Sequence, residues 1–200
     1  FGYAFMAMNE YDPKSKKQPH PVFSDSRVRR ALAMSVDRVA MLHNVFGKDG
    51  HLSHGPFPAT VNFADTTLRV PPYDTTAAKA LLDSAGWRVG PNGVRVKNAR
   101  PLRVTRLGPT ISLFRRRYWV LMQAQFKQVG VQVDVEPGDN QLVGGRSQSG
   151  DFDAVLLTFN TDPSPAGVRQ NWGTVGIASG MNFLRYSNRV VAAELDSATL

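Results

Sequence analysis

An α/β chain, with a mixed central sheet flanked by helices, is the fold class this sequence predicts, and three observations carry the prediction. Apolar runs of strand length alternate with segments whose apolar residues recur at helical spacing. Val131, Val133 and Val135 alternate with Gln132, Asp134 and Glu136, as in a strand with one face buried, whereas Phe152 to Phe159 is apolar almost throughout, as in a strand covered on both faces. The order along the chain is strand, helix, helix, hairpin, strand, helix, strand, strand, helix, with no internal repeat and no low-complexity linker. That alternation places residues 1–200 in one α/β domain.

Each element has a local reason. Phe1 to Met8 is apolar and reads as a buried strand ending at Asn9-Glu10; a core strand with no lead-in predicts a chain cut from a longer one. A polar loop follows, from Tyr11 to His20. Ser24 or Asp25 can cap a helix whose apolar positions Val28, Leu32, Val36, Val39 and Leu42 or His43 share one face, and Gly47 supplies a stop. The spacing therefore predicts one helix from about Asp25 to Phe46. Asp74 or Thr75 opens a second helix, which Gly86 ends in the left-handed conformation.

Pro91-Asn92-Gly93 then turns a hairpin between Trp87–Val89 and Val94–Val96. Leu102 to Leu107 alternates weakly as a strand. A third helix runs from about Ile111 to Val129 and stops at Gly130. Gln141 to Ser149 is a short polar helix or loop, and a last helix follows Tyr186-Ser187-Asn188 through Leu195.

Composition narrows the function classes. A hydrophobic fraction of 42% and a charged fraction of 20% are ordinary for a globular chain, and no apolar run approaches the ~20 residues that cross a bilayer. Without cysteine there is neither disulfide nor thiolate chemistry, which is compatible with export. The net charge of +8 invites a nucleic-acid partner, but the basic residues are scattered and only Arg115-Arg116-Arg117 is dense. No nucleic acid is expected, while an anionic ligand or membrane surface stays compatible with the charge. Positive charge in a helix's first turns opposes the dipole, yet three adjacent side chains point in three directions. Asp49, His51 and His54 do not form a clear ligand set at a known metal-site spacing, so neither metal nor cofactor is expected. The chain has no Gly-x-Ser-x-Gly elbow, phosphate loop or zinc-protease helix, and it is not expected to be an enzyme.

The stretch that points to function is Gly150 to Trp172, with Phe152 to Phe159 as its apolar run. That run stops abruptly at Asn160-Thr161-Asp162-Pro163-Ser164-Pro165, where two prolines end strand pairing. Open α/β sheets place ligands just past the carboxyl ends of such strands. Asp162, with Pro163 at a first helical position, also fits a helix cap.

Four stretches together resemble the C-terminal lobe of the peptide, dipeptide and nickel class of extracytoplasmic solute-binding proteins, family 5. They are Phe23 to Leu32 with Val36-Asp37-Arg38; Tyr73-Asp74 through Trp87 with Gly93-Val94; Gln125 to Val131 with Gly150-Asp151-Phe152-Asp153; and Asp162-Pro163-Ser164-Pro165 with Gly180, Asn182 and Tyr186-Ser187-Asn188. The resemblance spans nearly the whole chain. It implies a single lobe of a periplasmic-binding-protein-like type II fold, with the N-terminal lobe of the same protein absent. It further implies a small-molecule or peptide ligand, ABC permease subunits as partners, no catalysis, and a periplasmic or extracytoplasmic location (lipid-anchored in a Gram-positive source). A ligand-sensing domain of a transcriptional regulator built on the same lobe is the alternative.

Residue by residue, Asp162 matches the aspartate that holds a peptide's free amine in the family. Phe159 stands where the family often has a tryptophan in the pocket wall, and a core role fits it equally. Asn160, Trp172 and Asn182 are further candidates for the cleft edge, and Asn9 stands where the family's first strand meets the hinge. Two departures matter. The loop arginine that grips a dipeptide's carboxylate is replaced by Gly108-Pro109-Thr110, with Arg106 and Arg115 only nearby, and no aspartate follows Asn188 in Arg189 to Ala193.

Overall fold

The computed structural model describes residues 2–57, 64–65, 67–109, 112–160, 164–179 and 181–199. In chain order they form β1 (Gly2–Met8), α1 (Ser26–Met34), α2 (Arg38–Phe46), α3 (Thr75–Ser84), β2 (Arg88–Val89), β3 (Arg95–Lys97), β4 (Arg100–Pro101) and β5 (Arg103–Pro109). Then come α4 (Leu113–Gln128), β6 (Gln132–Gly138), α5 (Asn140–Ser149), β7 (Ala154–Asn160), α6 (Pro165–Trp172), α7 (Val175–Ser179) and α8 (Arg189–Ser197). The central sheet has the order β1-β7-β5-β6. β5 runs parallel to both its neighbours, and β1 pairs antiparallel with β7, so the sheet is mixed, as predicted. A small second sheet holds β2, β3 and β4.

Alternation sorts the strand residues onto two faces. Met6, Val104, Val133, Ala154 and Leu156 look toward α1, α3 and α4, where Phe23, Leu32, Trp87, Trp119 and Phe126 complete the larger core. Ala7, Leu107, Phe152 and Val155 look the other way, onto Val143 of α5 and onto Phe183 and Leu184. Fully burying one such large apolar side chain stabilises the fold by roughly 1.5–3 kcal/mol. Along β6 the predicted alternation is only half realised. Val133 is buried, but Val135, further along this edge strand, is 45% exposed.

The single helix predicted from Asp25 to Phe46 is two. Ser35 ends α1, its hydroxyl donating to the Leu32 carbonyl at 2.8 Å, and the Asp37 carboxylate then caps α2 by accepting from the Ala40 amide at 2.9 Å. The apolar period continues across Val36, which hid a break made by two polar side chains bonding their own backbone. The second predicted helix forms as expected. Asp74 caps it through the Ala77 amide, and Gly86 follows it at φ +88°.

Register in the sheet is held at one end by a polar knot. Asn9 is fully buried; its amide donates to the Gly150 and Phe152 carbonyls at 3.0 Å each, and its carbonyl accepts from the Tyr11 amide. One residue past Phe152, the Asp153 carboxylate accepts from the Thr105 amide of β5 at 2.7 Å and from Nε2 of His20 at 3.0 Å. The other ring nitrogen, Nδ1, accepts from the Val22 and Phe23 amides, so it carries no proton and Nε2 is the donor. The side chain of Asn9, which the resemblance placed at a hinge, is thus bonded to backbone groups of Gly150, Phe152 and Tyr11.

A second buried polar group ties the hairpin to the helices. Arg95 is 2% exposed; its Nε donates to the Val129 carbonyl at 2.9 Å, and Nη1 donates to the Trp87 carbonyl and the Asp83 carboxylate at 2.6 Å each. The Arg95→Met substitution keeps the stem but leaves two buried carbonyls without donors. It is expected to lower stability by about 2–4 kcal/mol, read as a lower denaturation midpoint at an unchanged slope. The hydrogen bond from Arg95 also holds the Asp83 carboxyl below its usual range. A depressed folded-state value adds stability above the unfolded-state value and loses it as pH falls through the folded one. The contribution of Asp83 should therefore be lost progressively as pH falls from the ordinary carboxylate value through the lower folded-state one, and Asp83→Asn should flatten that part of the pH dependence of stability.

Candidate ligand-binding edge

Parallel pairing brings the ends of β5, β6 and β7 to one edge of the sheet. Pro109 stands beside Gly138, and Asn160, the last residue of β7, stands opposite Gly2, the first of β1. Helices α4, α5 and α6 follow these three strands, so their positive N-terminal ends lie near the same edge. Asp139 caps α5 through the Leu142 amide at 2.7 Å, and Ser164 caps α6 through the Ala166 amide at 3.2 Å. Ser112, at the cap of α4, makes no such bond.

The predicted site residues separate. Phe159 is half-buried and its ring meets Phe5 at 5.0 Å, Phe183 at 6.0 Å, Tyr3 at 6.2 Å and Trp172 at 6.5 Å, centroid to centroid. Trp172, at the end of α6, lies 5.1 Å from Phe5 and donates its indole N–H to the Tyr3 hydroxyl at 3.0 Å. Burial raises the pKa of that phenol, and the indole bond partly offsets it. Phe159 and Trp172 therefore belong to one aromatic wall, with Tyr3 and Phe5 as members that a sequence reading of β1 as plain core had missed. Edge-to-face and tilted pairs of this kind add roughly 0.5–1.5 kcal/mol each beyond their buried area.

Asn160 is exposed and leaves β7 on the opposite face from Phe159. Asp162 lies outside the described residues. The cap of α6, one of the two roles open to Asp162, is filled by Ser164.

Asn182 is buried and bonded internally. Only 1% of it is exposed, and its amide donates to the carbonyls of Gly173 at 3.1 Å and Tyr186 at 2.9 Å, with the Trp172 carbonyl at 3.5 Å. Its own carbonyl accepts from the Tyr186 amide. The side-chain amide and carbonyl of Asn182 are thus engaged with backbone groups of Trp172, Gly173 and Tyr186.

On the other face of the same edge is a basic group. Arg106 of β5 is 7% exposed, with its guanidinium carbon 5.2 Å from the centre of the Trp119 ring, and burial lowers its pKa. Arg115 donates through Nη2 to the Thr158 hydroxyl at 3.3 Å, which carries it across to β7. At the far end of β5 is a separate hollow of about 440 Å³. Its arginines are largely engaged, Arg103 with Asp134, and Arg146 with Glu136 and Asp151.

Among known proteins, the model for "Bacterial extracellular solute-binding proteins, family 5 Middle" matches residues 1–179. Di/tripeptide-binding protein 2 of Pseudomonas aeruginosa is 31% identical over 85% of this chain and 31% of its own length. The nickel-binding periplasmic protein of Escherichia coli is 28% identical over 64% of this chain and 25% of its own length. Of solved structures, the oligopeptide-binding protein AppA of Bacillus subtilis, in complex with a nonapeptide, superposes on 100% of this chain and 39% of its own, with a TM-score of 0.88 at 22% identity. NikZ of Campylobacter jejuni, in complex with Ni(L-His), gives a TM-score of 0.84 at 20% identity over 99% of this chain and 38% of its own. The chain thus spans about a third of the length of the relatives it matches.

Truncating Asn182 tests its assignment. Asn182→Ala, and equally Asn182→Asp, which cannot donate, should each lower stability by about 2–4 kcal/mol, seen as a fall in melting temperature.

Proposed function

We propose that this chain, which belongs to the bacterial extracellular solute-binding proteins of family 5, is one lobe of a clamp. It captures a small solute (an oligopeptide, dipeptide or similar) against its carboxyl edge, for delivery to an ABC permease. The family is one of binding proteins, not enzymes. The observation that carries the reading is the aromatic wall of Tyr3, Phe5, Phe159 and Trp172, only half-buried at the edge where β7 ends. Partly exposed rings with a polar tip are what a pocket uses to enclose a ligand, and a second lobe closing over them would complete their burial. The relatives' names, di/tripeptide-binding and nickel-binding, support small solutes as the class without choosing among them. Extracytoplasmic location follows from the same reading.

Asp162 is the proposed partner for a cationic group of the solute. It stands two residues past the end of β7, and Ser164 already provides the helix cap. An ionised carboxylate there would hold an amine by a charge-assisted hydrogen bond.

Native mass spectrometry of the full-length protein should show a co-purified small molecule. Asp162→Asn should then weaken its binding roughly 10- to 100-fold, the range of a hydrogen bond to a charged group, while the melting temperature of the unliganded protein stays put. Unchanged affinity with lowered stability would return Asp162 to a structural role.

A further inference from the structure

We propose that the hollow at the amino end of β5 is a second binding site, that it takes a phosphate group, and that Lys14, Arg100 and Thr105 hold it. The site lies at the far end of β5 from the solute-binding edge, goes beyond the solute-binding reading and does not depend on it.

The hollow follows from the fold. Arg103, Thr105 and Leu107 alternate onto one face of β5, the face whose Leu107 packs on Val143 of α5. The loop after β1 and the short strand β4 supply the other walls, through Lys14 and Arg100. The enclosed volume of about 440 Å³ lies within the range of small-molecule pockets, roughly 300–1,000 Å³.

The wall that carries Lys14 is rigid. Tyr11 and Pro19 pair across the loop, the Asp12 amide donates to the Gln18 carbonyl at 2.8 Å, and the Lys16 amide donates to the Asp12 carbonyl at 2.7 Å. Inside that knuckle the Asp12 carboxylate accepts from the Lys14 amide at 2.7 Å, and the Ser15 hydroxyl accepts from the Gln18 amide at 3.0 Å. Thr105 is fixed as well, by its amide bond to Asp153, which leaves its hydroxyl for another partner.

The pattern of bonds says what the partner must be. Each carboxylate facing the hollow already has a donor: Asp12 the Lys14 amide, Glu136 and Asp151 the Arg146 guanidinium, and Asp153 His20 with the Thr105 amide. Arg103 is paired with Asp134. Among the described residues, the side chains of Lys14, Arg100 and Thr105 make no hydrogen bond or ion pair. Two cations and a hydroxyl are left as donors, so the group that satisfies them accepts hydrogen bonds and carries negative charge. They come from three separate segments. A tetrahedral phosphate presents oxygens toward all three, whereas a carboxylate presents two in one plane. Lys16 and Lys17 stand exposed at the tip of the same knuckle, so the headgroup of an anionic lipid is received on the same terms as a free phosphate.

The test is a calorimetric titration of the full-length protein with inorganic phosphate and, separately, with sodium acetate, at ionic strength held constant with sodium chloride. Sedimentation with phosphatidylglycerol vesicles, and with phosphatidylcholine vesicles as the neutral control, follows. Phosphate should bind saturably and more tightly than acetate. Lys14→Gln and Arg100→Gln change exposed side chains without partners, so both variants should fold, and each should weaken binding about three- to fivefold, as for an exposed charge pair. Thr105→Val should also weaken it, while Arg117→Gln, on α4 and outside the hollow, should not. Sedimentation with phosphatidylglycerol alone, reduced in the Lys14→Gln/Arg100→Gln double variant, assigns the phosphate to a lipid headgroup. Saturable phosphate binding without sedimentation assigns it to a soluble compound. Failure to bind either probe overturns the proposal, as does acetate binding as tight as phosphate, or binding that the double variant leaves unchanged.

Discussion

The carboxylate of Asp153 is the constraint on which the sheet depends. It sits at the amino end of β7, and with its two oxygens it fixes β5, through the Thr105 amide, and the loop entering α1, through His20. Asn9 fixes the end of β1 against the same corner, and its backbone amide also donates to the Asp153 carbonyl at 2.9 Å. Three neighbouring strands are thereby aligned at one point. A slip of one residue in any of them would exchange the two faces of the sheet. The aromatic wall would then face α4, and Arg106 would leave Trp119.

Fixing the amino end leaves the carboxyl end free for chemistry. The polar atoms of the knot are satisfied by partners within the chain, whereas, among the described residues, the buried side-chain atoms without a hydrogen-bond partner lie at the opposite edge, around Arg106, Arg115 and Trp119. The two faces there also differ in kind. One carries stacked rings with an indole–phenol hydrogen bond, the other carries cations and an uncapped helix start. A molecule bridging the rim of β7 would meet an apolar surface on one side and positive charge on the other.

Local signals were legible in the sequence and non-local ones were not. Asp74 and Gly86 bracket α3 by bonds within a few residues of themselves, and the strand from Phe152 could be read from its apolar run alone. The break at Ser35 to Asp37 was missed because Val36 keeps the apolar period while the serine and aspartate side chains redirect the backbone. The sequence around Asn182, with Met181 and Phe183 on either side, gives no sign of what encloses it; its partners are carbonyls of Trp172, Gly173 and Tyr186. Arg106 and Trp119 meet only because β5 and α4 pack face to face, so neither residue marks the other in the sequence. The three-and-four spacing of Ser112, Arg115 and Trp119 was a visible hint that the dense arginine run obscured.

The position of β1 bears on how this sheet is made. Gly2–Met8 is synthesised first among the strands, yet the strand it pairs with in the sheet, β7, is synthesised last of them. Until Ala154–Asn160 leaves the ribosome, Phe5, Met6 and Met8 have no strand to dock on, and the sheet cannot close around its core. Long-range pairing of this kind slows folding and prolongs the exposure of sticky surface. For this chain the vulnerable interval is the time needed to translate everything between its first strand and its seventh.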